Sequence, residues 1–497
     1  MKNILFRVLF LKAEILIILL SVSILIYAQE DMPCVPVVVD GFTHEWPDPH
    51  DFLTNHSNVA TLIDPAGDGT DIDITTLQVT NDEDYIYFRI VFDKPYPLGE
   101  NNSLILELDT DNDPSTGYRI NGVGAELGWQ FGQRFGYYKD SEIAEPTPHK
   151  DVGFSFVPPF TAREYEVAIS LNAEPQPGKK LFFSDTIRVM LCDRKEGGDM
   201  APDAGKVFVY AIDRKCRNAV PLPEIKPKPV GGFRVLSWNV YHDGIIDSLR
   251  RHDFYKVIRL INPDIINFIE CWKSTAIEVD SMLRRILPGT WYVEKYGEGV
   301  ILASRFKIEE VVPVNPGANE NIAGFRLKVD KLELMFFSCH LSCCYFDTER
   351  ILETQALMAV INKVATYQDG TLRMPVILAG DFNIVGSDIP YQNLTSGRLH
   401  LSQKPVLRDL LPVQTDRPLT TTWRDYQKIF SPARLDYIFY TPVNLLPQHA
   451  FILNTSLLDN ETLSTLGLDT NIMYRCSDHL PLVADFKIIK SKTKDHP

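Results

Sequence analysis

The chain has 497 residues, 45% of them hydrophobic and 11% aromatic, with a formal net charge of −15. This composition is that of a globular rather than a disordered protein, and the length exceeds one ordinary domain. The acidity is uneven, because the net charge is −14 over residues 1–230 and −1 over residues 231–497. Nucleic-acid binding usually leaves a basic footprint, so strong nonspecific DNA binding is not supported for either half.

Residues 1–28 have the pattern of a signal peptide. Lys2, Arg7 and Lys12 precede an apolar run from Ile15 to Ala28. This run is shorter than the roughly 20 residues of a membrane-spanning helix and suits cleavage after Ala28. An uncleaved anchor is the alternative. The sequence therefore predicts an exported protein that is secreted, periplasmic or held at the cell surface.

Residues 36–217 carry short alternating runs that predict an all-β sandwich, called the β-module below. Examples are Thr76–Thr80, Tyr85–Phe92 and Ser103–Leu108, separated by turns of Gly, Asn and Asp. The module precedes a proline-rich stretch, residues 218–231, which is typical of a semi-rigid linker.

One loop of the β-module has the spacing of calcium ligands. Asp109, Asp111 and Asp113 stand at alternate positions ahead of Pro-Ser-Thr-Gly. Because no complete EF-hand follows, these residues are candidate Ca²⁺ ligands on spacing alone.

The β-module resembles family-9 carbohydrate-binding modules and related DOMON-like sandwiches. The resemblance rests on Val39-Asp40-Gly41, on Trp46 and on the stretch from Asp109 to Tyr118. It implies glycan binding. Trp46 and Trp129 either stack on a sugar or belong to the core.

Eight cysteines in an exported chain are able to pair. Cys192 and Cys216 are one plausible bridge. A zinc site around Cys339 and His340 is disfavoured, because neighbouring residues on a strand point to opposite faces.

Amphipathic helices alternate with apolar strands in residues 232–488, which predicts an α/β fold with covered sheets. One helix is indicated by the spacing of Phe254, Val257, Ile258 and Ile261, and Asn262-Pro263 ends it.

Polar residues recur where these strands end. Each one alone is an ordinary polar strand end, but together they predict a single rim. They are Asn239, Glu270, His340, Asp381, Asn383, Asp436, Asp478 and His479. If strand pairing persists past Asp381, Asn383 lies on the same side and Phe382 points away.

The ordered set resembles the endonuclease/exonuclease/phosphatase superfamily over residues 232–488. The most specific pieces are Gly380-Asp381-Phe382-Asn383, Arg434-Leu435-Asp436-Tyr437-Ile438 and Ser477-Asp478-His479-Leu480-Pro481. The resemblance implies a four-layer α/β/β/α sandwich and a divalent-metal-dependent phosphoesterase.

The resemblance also implies metal ligands. Asn239 and Glu270 match the metal position, and Asp478 matches a second carboxylate near it. Oxygen ligands favour Mg²⁺ or Mn²⁺ over zinc.

The remaining residues match catalytic positions of that superfamily. His479 corresponds to a general base or phosphate-orienting acid, and Asp436 to the carboxylate that fixes its tautomer. Asp381 and Asn383 correspond to a pair that positions water and phosphate. His340 matches a second imidazole of the deoxyribonuclease and sphingomyelinase branches, and argues against the abasic-repair branch.

Two functions follow from the sequence. The first is hydrolysis of a phosphate ester, with nucleic acid, phospholipid or another ester as substrate. The alternative is a carbohydrate- or surface-binding protein that uses the fold as a scaffold. The whole polar set favours the enzyme, and no obligate protein partner is evident.

Overall fold

The structure is a computed structural model that describes residues 34–489, except 51–57, 140–143, 219, 315–316, 318, 330–331, 368–371, 397–406 and 443–444. The predicted signal peptide, residues 1–28, lies outside the described residues. Among those residues, no helix has the length and apolar character needed to cross a membrane.

Two sheets form the β-module. Sheet 1 runs in the order β1 (Ala60–Ile63), β2 (Ile74–Asn81), β3 (Tyr85–Tyr96), β11 (Ala162–Ser170) and β10 (Ser155–Val157). Sheet 2 runs in the order β13 (Met200–Ala201), β12 (Thr186–Asp193), β4 (Leu104–Asp109), β7 (Leu127–Gln130), β8 (Phe135–Tyr138) and β9 (Glu145–Thr147), with β14 (Phe208–Ala211) also paired to β12. A small hairpin, β5 (Tyr118–Ile120) and β6 (Val123–Ala125), and one short helix, α1 (His149–Val152), complete the described elements.

The two sheets share a hydrophobic core, in which Phe88 of β3 lies with Leu106 of β4. Both tryptophans singled out in this module are buried. Trp129 stacks on Phe154 at 3.9 Å, and the indole nitrogen of Trp46 donates to Glu166 at 2.8 Å. These two side chains therefore belong to the core and do not present a face to a sugar.

The expected Cys192–Cys216 bridge is wrong. Cys216 forms a disulfide with Cys34, and Cys192 is a buried free thiol. The bridge joins cysteines 182 residues apart, one ahead of the first strand of the β-module and one after its last strand, and chain spacing does not indicate this pairing.

Residues 232–488 hold two six-stranded sheets. Sheet 3 runs in the order β17 (Tyr292–Tyr296), β18 (Val300–Ser304), β16 (Ile265–Ile269), β15 (Phe233–Asn239), β26 (Leu482–Ile488) and β25 (Leu445–Ile452). Sheet 4 runs in the order β19 (Lys307–Pro313), β20 (Ile322–Val329), β21 (Leu332–His340), β22 (Val376–Asp381), β24 (Asp436–Tyr440) and β23 (Arg408–Asp409). The helices are α2 (Arg251–Ile261), α3 (Ala276–Ile286), α4 (Asp347–Ala365), α5 (Ile389–Thr395), α6 (Asn460–Leu466) and α7 (Ile472–Cys476).

A buried polar contact joins sheets 3 and 4. Asn267 of β16 donates to the carbonyl of Ala379 in β22 at 2.9 Å, and the hydroxyl of Ser338 in β21 donates to Asn267. Asn267 also donates to the Ser237 hydroxyl of neighbouring β15 at 3.2 Å, so its buried amide is paired both within sheet 3 and across to sheet 4.

Period-two alternation in β21 divides its side chains between two environments. Leu334 and Phe336 lie in the core shared with sheet 3, whereas Met335 and Phe337 pack with Leu357 of α4. The helix therefore covers the face of sheet 4 that points away from sheet 3.

Helix α2 covers sheet 3, as its apolar spacing predicts. Phe254, Val257, Ile258 and Ile261 are all buried. The Trp238 ring of β15 lies 4.5 Å from that of Phe254.

The β-module packs directly on the C-terminal region. The backbone nitrogen and the hydroxyl of Thr161 both donate to the carbonyl of Gly386 at 2.7 Å. Phe160 stacks on Tyr391 at 5.3 Å, and Leu419 is buried in a cluster with Val39. The predicted linker is held as well, because the Lys228 ammonium lies 2.6 Å from Asp264. These contacts place the β-module beside the rim described next.

Candidate active site

Two parallel strand pairs bring the predicted polar residues to one edge. β15 runs parallel to β16, so Asn239 pairs with Ile269, the residue before Glu270. β21 runs parallel to β22, so His340 pairs with Asp381. Carboxyl ends of parallel neighbours meet at the same edge, which is why residues far apart in sequence become neighbours here.

Glu270 and Asn239 are in contact, as expected. The Asn239 amide nitrogen donates to Glu270 at 3.0 Å, and the Glu270 carboxylate also accepts the backbone N–H of His242 at 3.0 Å. Glu270 has a left-handed φ of +63°, an uncommon conformation for this residue type that is often found at functional sites. Burial alone raises the pKa of Glu270, but the hydrogen bonds from the Asn239 amide and the His242 backbone N–H, together with the His479 cation, outweigh it and lower the pKa.

His479 and Asp436 form a buried pair, as predicted. Nδ1 of His479 donates to Oδ2 of Asp436 at 2.7 Å, and both side chains are almost fully buried. Burial alone lowers the pKa of His479, but the carboxylates of Asp436 and Asp381 outweigh it and raise the pKa to about 10. The imidazole is therefore a cation at neutral pH, with Nε2 left for the cavity.

Sequence reasoning missed the residue that positions Asp436. The Thr422 hydroxyl donates to Oδ2 of Asp436 at 2.8 Å and accepts the backbone N–H groups of Leu435 and Asp436, both at 3.0 Å. Thr422 lies outside the strands, so no period-two signal indicated it.

Ser477 and Trp238 fix the backbone around His479. The Ser477 hydroxyl donates to the Asn239 carbonyl at 2.8 Å and accepts the His479 backbone N–H at 3.1 Å. The Trp238 indole donates to the His479 carbonyl at 3.0 Å. The end of β15 and the His479 segment are thus held together through the backbone.

Asp381 lies between the two halves of the rim. Its Oδ2 accepts the Asn239 amide at 3.1 Å and lies 3.7 Å from Nε2 of His479. Burial, only partly opposed by the charge of His479, raises the pKa of Asp381 to about 7. The residue before Asp381 is a glycine, Gly380, and the backbone conformation there requires it. A Cβ at this position would lie 1.9 Å from the Cys339 carbonyl oxygen.

Asn383 lies beyond the end of β22, so strand pairing does not continue as the period-two argument required. It adopts a left-handed φ of +48°, and its amide donates to the Leu341 carbonyl at 3.0 Å. Asn383 still lines the same cavity as Asp381, and Phe382 points into the core.

His340 lies beside Asp381 without a hydrogen bond to it, because Nε2 is 3.9 Å from Oδ2. Among the described residues, its Nδ1 is buried without a hydrogen-bond partner. Burial lowers the pKa of His340 to about 4. The two imidazoles therefore differ at neutral pH, with His340 neutral and His479 charged.

A cavity of about 940 Å³ opens in front of these residues, and both parts of the chain line it. The C-terminal region contributes Glu270, His340, Asp381, Asn383, Asp478 and His479. The β-module contributes Leu98, Glu100, Arg134, Phe156, Phe160 and Thr161. From the sequence, every candidate active-site residue was assigned to the second half of the chain. The β-module residues form a second wall of the cavity, which the sequence did not predict.

The oxygen donors at the cavity fit a hard divalent cation. Glu270 and Asp478 line it with carboxylates, and Mg²⁺ is commonly bound through one or two carboxylates with water completing its shell. The Trp423 indole donates to Oδ2 of Asp478 at 3.1 Å and orients that side chain. Asn239 was expected at the metal position, where an amide would offer its oxygen. In the structure its amide nitrogen, not its oxygen, points toward Glu270.

The acidic residues that cluster in the β-module differ from the three calcium ligands that the sequence spacing predicted. Ligand atoms of Asp109, Asp111 and Glu126 lie within 4.8 Å of one another. Among the described residues, Asp113 is not part of that group, and its carboxylate accepts the Ser115 backbone N–H at 2.9 Å. Glu126 was missed, since it reaches the loop from the segment between β6 and β7.

Comparison with solved structures returned relatives of low identity. Humanized TDP2 of D. rerio is 19% identical, with 52% of this chain and 99% of that chain covered and a TM-score of 0.37. The human Nocturnin catalytic domain is 19% identical, with 52% and 94% covered and a TM-score of 0.37. An endonuclease/exonuclease/phosphatase family protein from Leptotrichia buccalis is 18% identical, with 52% of this chain and 100% of that chain covered and a TM-score of 0.36.

A comparison with curated proteins yielded no match. The resemblance of the β-module to family-9 carbohydrate-binding modules stays a prediction.

A sequence model of the Endonuclease/Exonuclease/phosphatase family matches residues 236–479, which span the rim from Asn239 to His479. The C-terminal half of the chain belongs to this family and is a phosphoric ester hydrolase.

Proposed function

We propose that the protein is an exported, divalent-metal-dependent phosphoesterase that hydrolyses a phosphodiester by attack of water. Its catalytic region would be a four-layer α/β/β/α sandwich behind an all-β module. The observation that carries the proposal is the buried His479–Asp436 pair, whose free imidazole nitrogen faces Asp381 across 3.7 Å on the wall of one cavity.

In this proposal the two ionisable groups of opposite sign have separate tasks. Asp381 accepts the proton of the attacking water, since its raised pKa suits a general base near neutral pH. As the water oxygen bonds to phosphorus, the bond from phosphorus to the ester oxygen breaks, and that oxygen leaves as an alcohol with a proton from solvent. The His479 cation donates from Nε2 to a phosphate oxygen and stabilises the charge that builds there. Neutral His340 contributes a hydrogen bond without a charge.

A cation held by Glu270 and Asp478 would neutralise phosphate charge that repels the nucleophile. Mg²⁺ or Mn²⁺ is the proposed ion, because both carboxylates offer hard oxygen ligands. In the β-module, Asp109 and Asp111 remain the proposed Ca²⁺ ligands, now with Glu126 in place of Asp113.

The cavity wall supplied by the β-module offers positive charge to an anionic substrate. The Arg134 guanidinium lies 4.6 Å from the Phe430 ring, and its Nε donates to the Gly99 carbonyl at 2.8 Å. Arg134 and Lys428 thus line the cavity from opposite parts of the chain and offer two cations to an anionic substrate. We propose a compact phosphodiester, or the end of a longer one, rather than a long duplex lying across the site.

Export is supported by two observations of different kinds. The first is the charged and apolar pattern of residues 1–28. The second is the Cys34–Cys216 disulfide, since disulfides form and persist in oxidising compartments.

The test is a screen of the purified full chain against a soluble chromogenic phosphodiester, sphingomyelin, single-stranded DNA and long duplex DNA. Each reaction is run with EDTA and after restoration of Mg²⁺ or Mn²⁺. We expect hydrolysis of at least one compact ester, abolished by EDTA and absent in Glu270→Gln. Full activity in chelator, or preference for long duplex DNA, contradicts the proposal.

A further inference from the structure

A second set of acidic side chains gathers at one edge of the β-module, away from the cavity. Ligand atoms of Asp64, Asp68 and Asp203 lie within 4.8 Å of one another, and so do those of Asp68, Asp73 and Asp199. Asp68 belongs to both groups, so the five carboxylates form one continuous cluster, called the edge cluster below.

The edge cluster joins the two sheets of the module. Asp64, Asp68 and Asp73 lie in the loop between β1 and β2 of sheet 1, whereas Asp199 and Asp203 flank β13 of sheet 2. The loop packs closely against sheet 2 at Gly69, where a Cβ would lie 2.9 Å from the Cβ of Asp199 and 1.8 Å from the Ile72 carbonyl oxygen. A glycine at this position is what permits the approach.

Asp64 supplies the observation that points to a ligand. Its side chain is only 5% exposed, and its Oδ2 atom is buried without a hydrogen-bond partner among the described residues. A buried carboxylate oxygen without a partner is costly, and such atoms usually have a protein, water or ion partner. Burial and the neighbouring Asp199, Asp203 and Asp68 raise the pKa of Asp64 to about 7, and the charge of Lys206 opposes this only in part.

Two other members are better satisfied, and positive charge is scarce around the cluster. Asp73 accepts the Gly67 N–H at 2.8 Å, and Asp199 accepts the Ile74 N–H at 2.6 Å. Among the described residues, the cation recorded in an ion pair with this cluster is Lys206, which lies 2.7 Å from Asp203. Five carboxylates therefore face one ammonium group.

We infer that the edge cluster is a calcium site that fastens sheet 1 to sheet 2. Oxygen atoms that share one Ca²⁺ at about 2.4 Å lie at most about 4.8 Å apart, and the ligand atoms of each group lie within this limit. Calcium accepts six to eight oxygen ligands in flexible geometry, whereas Mg²⁺ retains water and rarely occupies a carboxylate cage. Asp68 is exposed and Asp203 is half-buried, so an ion has a path into the site.

The experiment measures the melting temperature of the metal-free full chain during titration with CaCl₂. A ligand that binds only the folded state raises this temperature with concentration, and we expect a rise of about 5 °C at saturating calcium. Mg²⁺ at the same concentrations should give a smaller rise. In a Glu126→Gln background, which removes a ligand of the other proposed calcium group, Asp64→Asn and Asp68→Asn should each lose most of the calcium shift. Asp64→Asn should also melt higher than its parent in chelator because a buried charge is removed.

Two controls separate the edge cluster from other sites. Asp71→Asn lies in the same loop, but its carboxylate is exposed and pairs with Lys195 at 2.9 Å, so the calcium shift should persist. Glu270→Gln removes the proposed active-site ligand and should also keep the shift. If the wild type shows no shift, or if Asp64→Asn and Asp68→Asn both retain it, the assignment is wrong. Should Asp64→Asn fail to fold, exposed Asp68→Asn decides the question alone.

Discussion

Nε2 of His479 lies 3.7 Å from Oδ2 of Asp381 at the wall of the cavity. Both groups have a raised pKa, about 10 for the imidazole and about 7 for the carboxyl group. At neutral pH this arrangement keeps the imidazole charged while the carboxyl is close to its midpoint. The two groups therefore suit phosphate binding and proton acceptance respectively, and their roles are separable by titration.

The first prediction concerns the charge of His479. Its pKa rises from 6.5 to about 10 on folding, so the pair with Asp436 stabilises the fold fully below pH 6.5 and loses that contribution as pH rises toward 10. NMR titration of the His479 ring in the metal-free protein should show no deprotonation up to pH 8. Asp436→Asn should bring the midpoint down by more than one unit. A ring that titrates near 6.5 in the wild type contradicts this assignment.

The second prediction concerns the orientation of the His479 imidazole by Asp436. Asp436→Asn should lower kcat by roughly three to four orders of magnitude, because the imidazole loses the partner at Nδ1. His479→Ala should cost a similar factor, and the double variant should be little worse than either single variant. Thr422→Val should lower kcat less, since Thr422 acts through Asp436. Losses that simply multiply would refute the pairing.

The third prediction concerns Asp381 as the base. The value of kcat/KM should fall as pH drops through about 7, because protonated Asp381 no longer accepts a proton. Replacing Asn239 with Leu removes a hydrogen bond to the ionised carboxylate and should move this acid limb to higher pH. Thr422→Val, which leaves Asp381 untouched, should keep the limb in place. A limb that Asn239→Leu leaves unmoved points to a different base.

The fourth prediction concerns the wall supplied by the β-module. Arg134→Ala should raise KM about tenfold with little change in kcat, because Arg134 lines the cavity but lies outside the catalytic pair. Arg119→Ala is the matched control, since its guanidinium bonds to the Ser115 carbonyl away from the cavity. An unchanged KM in Arg134→Ala would show that the substrate does not reach this wall.

The sequence predicted the parts of the fold that depend on local pattern. β15 ends at Asn239 and β21 at His340, both predicted as polar strand ends, and the four apolar positions of α2 are buried. The rim residues were recognisable because strand ends and family motifs coincide. Thr422 and Glu126 were not, because a loop residue becomes a neighbour only through tertiary contacts that no local period reports. Arg134 illustrates the same limit between modules, since nothing near it in sequence indicates a cavity.

The Cys34–Cys216 disulfide has a consequence for mechanical load. Tension applied at Cys34 passes through one covalent bond to Cys216 and then into the linker, so it bypasses the residues between them. If the N-terminus tethers the protein to a surface, pulling on the catalytic region would leave the β-module folded. The disulfide thus carries the tension around the module, and the module keeps its wall of the cavity in place.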